Sequence, residues 1–406
     1  MNLRFACASR SALALLVVCV AAAGPQGLRA QVPWPTDGWA VASPESQGLN
    51  RSPLSALDRE IRAGTYGHID RLVIVRNGYR VVSERYARDY GTVSRGARDP
   101  LGCGSDACMA AAEVHEFNYY HPDFHPYYRG RDVHTLQSVT KSVTSALIGI
   151  AIRRGEITGT SASLLSFFGD YDLSHVDPRL RRATLDDLLT MRTGLEWHET
   201  DRPLDSTNTT LQLELSPDWI QFTLTQPMDA DPGTKWAYNS GGSHLMSGII
   251  HRATGQTVDR YAETHLFGPL GIRDYHWKRT PTGLPDTEGG LYLEAEQLAK
   301  IGYLYLRDGV WNGRRILPEG WVQASTARRV DRVGIRNWGY GYQWWRLDRD
   351  GEEVWAGLGF GGQYLLILPE DQVVAVLNSW NVFGGRYPSV LDAVLDAVLT
   401  ALSTGR

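Results

Sequence analysis

No apolar run after residue 23 is long enough to cross a bilayer, which excludes a membrane-spanning helix there. The formal charge is only −4, from 41 basic and 45 acidic residues, so nothing in the balance points to nucleic acid as a partner. Gly-x-Ser-x-Gly is absent, and with it the nucleophile elbow of an α/β-hydrolase. There is no internal repeat and no long low-complexity tail. Two residue types are scarce in a more telling way: cysteine occurs four times and lysine four times, at Lys141, Lys235, Lys278 and Lys300.

Two of the cysteines, Cys7 and Cys19, lie in the first 30 residues, where Ala12 to Ala23 form an apolar run of twelve behind Arg4 and Arg10. That run is too short to span a bilayer and fits a signal peptide, with cleavage expected near Ala30 or Ala23. Removing residues 1–30 takes away three arginines and no acid, moving the charge from −4 to −7. A periplasmic or secreted location follows as an expectation. Cys103 and Cys108 are then the only thiols, and an oxidising compartment favours a local disulfide between them. Their spacing also suits half of a zinc site, with His115, His121 and His125 following, and two free thiols are a blander alternative. The prolines and aromatics of that stretch read better as a rigid loop, so no metal is expected.

What is present turns on Ser138-Val139-Thr140-Lys141. Residues three apart on a helix share a face, close enough for an amine to take a hydroxyl proton. The motif is weak alone, since the spacing recurs by chance. Val139, Val143, Ala146, Leu147, Ile150 and Ala151 then recur at helical spacing up to Gly155, a residue suited to a helix C-terminus. Ser138 therefore stands in the first turn, where the helix dipole favours a developing alkoxide. Free lysine titrates near 10.4, so a base working at neutrality requires Lys141 to be depressed by roughly two to three units through burial, dipole and neighbours.

One hundred residues on, the chain reads Pro232-Gly-Thr-Lys-Trp-Ala-Tyr238-Asn239-Ser-Gly-Gly. Ser-x-x-Lys followed at this distance by such a Tyr-Asn element resembles the serine β-lactamase and penicillin-binding-protein superfamily. The likeness is nearest to class C β-lactamases, esterases and 6-aminohexanoate-dimer (nylon-oligomer) hydrolases. Leu185 to Leu195, Leu266 to Ile272 and Gly289 to Ala299 extend it over some 300 residues, and Arg192-Thr-Gly followed by Trp197 is most like the nylon-oligomer branch. The resemblance implies Ser138 as nucleophile, Lys141 and Tyr238 in proton transfer, and Asn239 bonding the lysine and the substrate. No metal or organic cofactor is implied.

The third motif departs from that pattern. Where the β-lactamases carry a lysine or histidine, Gly357-Leu-Gly359-Phe360-Gly-Gly offers no cation to meet a penicillin carboxylate. Its glycines allow close backbone approach, which puts the amides of Ser138 and Phe360 forward as oxyanion donors. A bulge in an edge strand is the plain alternative. Gly359, Trp197 and Trp345 are further candidates for contact with substrate. Asn50-Arg-Ser and Asn208-Thr-Thr match the glycosylation sequon.

The expected fold class is α/β (α+β): a five-stranded antiparallel sheet flanked by terminal helices, with an inserted mostly helical region, as in β-lactamases and DD-peptidases. The segments expected are residues 1–30 as signal, 31–137 and 288–406 as the two parts of the α/β domain, and 138–287 as the helical region. Pro53 to Ala63 reads as a helix, Leu72 to Val82 as a hairpin turning on Asn77-Gly78, and Ser389 to Leu402 as a closing helix. Strands are expected at Tyr340 to Trp345, Val354 to Ala356, Gln363 to Leu368 and Val373 to Leu377. The functional expectation is an exported serine hydrolase acting on a small-molecule ester or amide through an acyl-serine. A D-alanyl-D-alanine peptidase or β-lactamase is the alternative within the enzymes, and a catalytically silent peptidoglycan- or protein-binding module is the alternative outside them.

Overall fold

A computed structural model describes residues 34–86, 130–203, 205–334, 336–381 and 387–405. The segment 1–30, Cys103, Cys108 and His115 to His125 lie outside the described residues.

The central element is a nine-stranded sheet. In chain order its strands are β1 (Ala40–Val41), β2 (Ile69–Arg76), β3 (Tyr79–Arg85), β9 (Val330–Val333), β10 (Trp338–Tyr340), β11 (Trp345–Arg349), β12 (Glu352–Gly359), β13 (Gln363–Leu368) and β14 (Val373–Ser379). They lie in the order β1-β3-β2-β14-β13-β12-β11-β10-β9. A small sheet pairs β6 (Leu291–Leu293) with β4 (His134–Thr135) and β5 (Tyr275–Trp277), and β7 (Val310–Trp311) and β8 (Arg314–Arg315) form a separate hairpin.

Strand residues alternate between two apolar cores, as a period of two requires. Leu72, Ile74, Leu366, Leu368, Val373, Ala375 and Leu377 face helices α1 (Arg51–Arg62) and α8 (Val390–Ser403). Val73, Val75, Leu365, Ile367, Val374 and Val376 face the other layer, which holds α2 (Val139–Arg153), α6 (Ser240–Thr254) and α7 (Ala295–Leu306). Both faces are covered, which is why these strands read as unbroken apolar runs. The hairpin turns where Asn77 and Gly78 both have positive φ, 53° and 82°, as a two-residue type I′ connection demands.

The middle of the sheet, β3-β2-β14-β13-β12, is the antiparallel five-stranded unit expected; β1 joins one edge in parallel and β11-β10-β9 extend the other. The expected single strand Tyr340 to Trp345 is instead two, β10 and β11. Gln343 breaks it with φ 61°, and its backbone turns inward to bond the helical layer: its N–H donates to the Leu189 carbonyl (3.0 Å) and its carbonyl accepts from Ser142 Oγ (2.6 Å). Both sequon asparagines cap helices. Asn50 accepts from the Ser52 amide at 2.9 Å, and the fully buried Asn208 accepts from the amides of Thr210 and Leu211, opening α4 (Thr209–Glu214). A glycan on Asn208 would have no room. Among the described residues no helix is long and apolar enough to cross a membrane.

Candidate active site

Helix α2 is apolar enough to run through the interior, buried from Val139 to Ala151, and it presents Ser138 at its N-cap position. Gln137, just before, sits at φ +48°, a conformation non-glycine residues rarely adopt and which tight surroundings must hold. The amides of Val139, Thr140 and Lys141 close onto the carbonyls of Leu136, Gln137 and Ser138 at 2.9–3.2 Å. What reaches Ser138 is therefore the positive field of this terminus rather than those three donors.

Lys141 is 1% exposed and its Nζ donates to three oxygens: Ser138 Oγ at 2.9 Å, the Glu288 carbonyl at 2.7 Å and Glu288 Oε2 at 3.3 Å. The same nitrogen lies 5.2 Å from the centre of the Tyr238 ring. Burial raises the Tyr238 pKa, opposed by the charge of Lys141 and by Ser138 near its hydroxyl. Serine, lysine and tyrosine, read from two motifs a hundred residues apart, are thus brought together around Lys141 Nζ. Lys141 differs from the sequence expectation in its charge. Burial is the largest influence and lowers its pKa, but Tyr238, Glu288 and Glu199 together oppose it, and the amine ends well above its ordinary value. It is an ammonium at neutral pH.

Asn239 does not bond Lys141. Its Oδ1 accepts from the Gly242 amide at 2.6 Å, capping α6, while its Nδ2 is buried with no hydrogen-bond partner among the described residues. Trp345 stacks on Tyr238, ring centres 5.8 Å apart and 19° between planes, with Trp236 and Tyr340 edge-on against it. Trp197 is placed differently from the expectation. It is buried among Leu213 and Trp219, and its indole N–H donates to Glu199 Oε2 at 2.9 Å, so it holds Glu199 rather than facing the cleft. Glu199 also accepts from the Ser240 amide (2.9 Å) and Ser240 Oγ (2.7 Å), and burial raises its pKa.

Strand β12 passes directly against the start of α2. It lies between β11 and β13, with continuous register from Trp355 to Gly359 against β13, so it is neither an edge strand nor bulged there. A Cβ on Gly359 would fall 2.4 Å from the Leu136 carbonyl oxygen, and one on Gly357 3.0 Å from Val139 Cγ1 and 3.3 Å from Ser142 Oγ. Phe360 follows at the strand end, its side chain 51% exposed. Gly359→Ala should cost about 1–3 kcal/mol by overpacking against a backbone oxygen that cannot rotate away. It should also lower kcat/KM by about a hundredfold, because displacing Leu136 shifts Ser138 by a fraction of an ångström or more. A urea midpoint and an esterase rate both near wild type would show that this contact does not position the serine.

Two acids, Glu199 and Glu288, went unread in the sequence. Each stands beside a recognised segment, Glu199 two residues after Trp197 and Glu288 just before Gly289-Gly290, and that adjacency was the available signal. Among the described residues no cluster of histidine, cysteine or acid is arranged to hold a metal ion.

The Beta-lactamase family model matches residues 73–398. The 6-aminohexanoate-dimer hydrolase of Paenarthrobacter ureafaciens is 26% identical over 294 residues, covering 64% of this chain and 69% of that protein. Among solved structures, a Bacillus anthracis protein assigned as a 6-aminohexanoate-dimer hydrolase superposes with TM-score 0.65 at 19% identity over 92% of this chain and 90% of that one. EstCE1, a hydrolase with promiscuous acyltransferase activity, does so with TM-score 0.63 at 13% identity, over 87% and 99%. With the family match spanning most of its length and its relatives hydrolases, this chain belongs to the β-lactamase family and is a serine hydrolase of the β-lactamase and penicillin-binding-protein superfamily.

Proposed function

We propose that this protein cleaves a neutral or weakly charged ester or amide through an acyl-enzyme on Ser138. The observation that carries the reading is Lys141 Nζ at 2.9 Å from Ser138 Oγ, with the Tyr238 ring centre 5.2 Å from the same nitrogen. Ser138 Oγ attacks the carbonyl carbon as its proton passes to the Lys141–Tyr238 pair; the C–O or C–N bond then breaks, the leaving group taking a proton from that pair, and water releases the acid in a second cycle. The amides of Ser138 and Phe360 receive the oxyanion, a placement supported by the close approach of β12 at Gly359. Asn239 Nδ2 and Trp345 receive the substrate. Export is part of the proposal and rests on the apolar run Ala12 to Ala23, with a local disulfide at Cys103 and Cys108 consistent with it.

Substrate charge separates this reading from a β-lactamase or D-alanyl-D-alanine peptidase. A side chain at residue 357 would start beside α2, and there the chain has only a hydrogen atom. A carboxylate left without a charge-assisted partner loses about 1.5–3 kcal/mol, or roughly 10- to 150-fold in binding. On p-nitrophenyl butyrate kcat/KM should therefore exceed that on a chromogenic cephalosporin by about a hundredfold. Comparable rates on the two would move the assignment to a β-lactamase.

A further inference from the structure

We infer that Glu288 is the proton store of the site: a positioning residue that holds Lys141 as an ammonium at rest and takes one of its protons when Ser138 is to be deprotonated. The inference rests on the proposed acyl-serine reaction and adds to it a residue and a step.

The geometry is that of an ammonium. A lysine Nζ with three protons has three donors and no acceptor, and three oxygens surround it. In that arrangement Ser138 Oγ accepts from the lysine, the reverse of the direction a base needs. For Lys141 to receive the serine proton it must first give one away. The acceptor within reach is Glu288 Oε2 at 3.3 Å, on a side chain 7% exposed. Transfer converts an ion pair into a neutral amine and a neutral acid with no change in net charge, which a buried site opposes far less than it opposes loss of a proton to solvent. The amine then accepts the Ser138 proton as Oγ bonds to the carbonyl carbon, becoming ammonium again beside protonated Glu288, and the oxyanion carries the balancing charge.

The other charged or titratable neighbours do not replace Glu288. Facing Lys141 are Tyr238, ahead of α6, and Glu199, whose oxygens are taken up by Trp197 and Ser240. Around Glu288 stand Glu199, Glu214 at the end of α4, and His244 on α6, and Asp286 and Lys278 act in turn on Glu214. His244 is fully buried and pushed down to about 3 by desolvation, so it stays neutral, and burial shifts the Glu214 carboxyl upward against the pull of Lys278. Asp286 Oδ1 accepts from the amides of Glu288 and Gly289, at 2.9 and 3.2 Å, and thereby fixes the segment that carries the store.

The consequence is read in pH profiles of kcat/KM, which report the free enzyme. In the wild type the active form is the Lys141–Glu288 pair with one shared proton, so the profile should be flat between about pH 6 and 9. Glu288→Gln keeps the shape but cannot accept a proton. The active form then needs Lys141 to lose its proton to water. Activity at pH 7 should fall about a hundredfold, and the profile should rise tenfold per pH unit toward a plateau. A purely structural role would lower activity and leave the profile flat, and that result would overturn the inference. Should Glu288→Gln fail to fold, the native protein answers instead. With only four lysines, ¹⁵N-lysine NMR gives few enough Nζ signals to follow Lys141, assigned by its loss in Lys141→Ala. An ammonium signal persisting at Lys141 through pH 9 is expected, whereas titration below about pH 8 would refute the resting ion pair. Covalent labelling of wild-type Ser138 by a fluorophosphonate separates the levels: labelling with a rising wild-type profile removes the store alone, and no labelling removes the acyl-serine reading itself.

Discussion

Ser138→Ala is expected to lower turnover by about ten-thousandfold or more and to abolish covalent labelling by a fluorophosphonate, with the far-ultraviolet circular dichroism unchanged. The hydroxyl accepts one bond from Lys141, and its loss removes one of three acceptors around an ammonium that keeps two from Glu288. That is worth about 1 kcal/mol. Chemistry and stability are therefore separable at this position. A labelled adduct on another serine, found by peptide mapping, would transfer the nucleophile's role elsewhere.

The second large effect distinguishes Lys141 from Tyr238. Lys141→Ala should slow acylation by about a thousandfold or more, and it should also destabilise the protein, because it breaks the buried ion pair with Glu288 by removing one member, a change that typically costs about 3–5 kcal/mol. Tyr238→Phe keeps the ring stacked on Trp345 and loses only the hydroxyl. If the phenol serves mainly the water step, this variant should accumulate acyl-enzyme, visible as a mass increase on Ser138 after mixing with p-nitrophenyl butyrate. Steady-state turnover near wild type in both variants would refute the division of proton transfer described here.

The grouping of Ser138, Lys141 and Tyr238 was legible in sequence because each belongs to a local pattern: a spacing of three on a helix, and a tyrosine in the turn that opens another. The charge state of Lys141 was not. It depends on Tyr238, Glu288 and Glu199, of which Glu288 stands 147 residues away and is joined only by tertiary folding, so spacing along α2 predicted a depressed amine where packing produces a raised one. Local reasoning about Trp197 failed in the same way. An aromatic beside a recognised segment gives no sign of which way it faces, and here it packs inward with its N–H on Glu199. The sheet was read correctly at its centre, where both faces are apolar. Beyond the five central strands, β9 reads Val-Asp-Arg-Val and is mostly exposed, and the break at Gln343 arises from bonds to Leu189, Ser142 and Ser243 in three separate parts of the helical layer. No pattern local to Tyr340 to Trp345 contains those partners.

The pairing of β2 with β14 bears on how the molecule comes to exist. Arg76 lies opposite Val373, so the second strand and the last one are neighbours across 297 residues of chain. The hairpin of β2 and β3 emerges early in synthesis, yet its inner edge stays unpaired until the final strand arrives, and long-range pairing of this kind is slow to form. Through that interval Leu72, Val73, Ile74 and Val75 are an apolar edge open to other chains. Yield of active protein should accordingly be governed by what shields this strand before residue 373 is made, and substitutions in β14 should reduce soluble expression more than equally buried substitutions in α1.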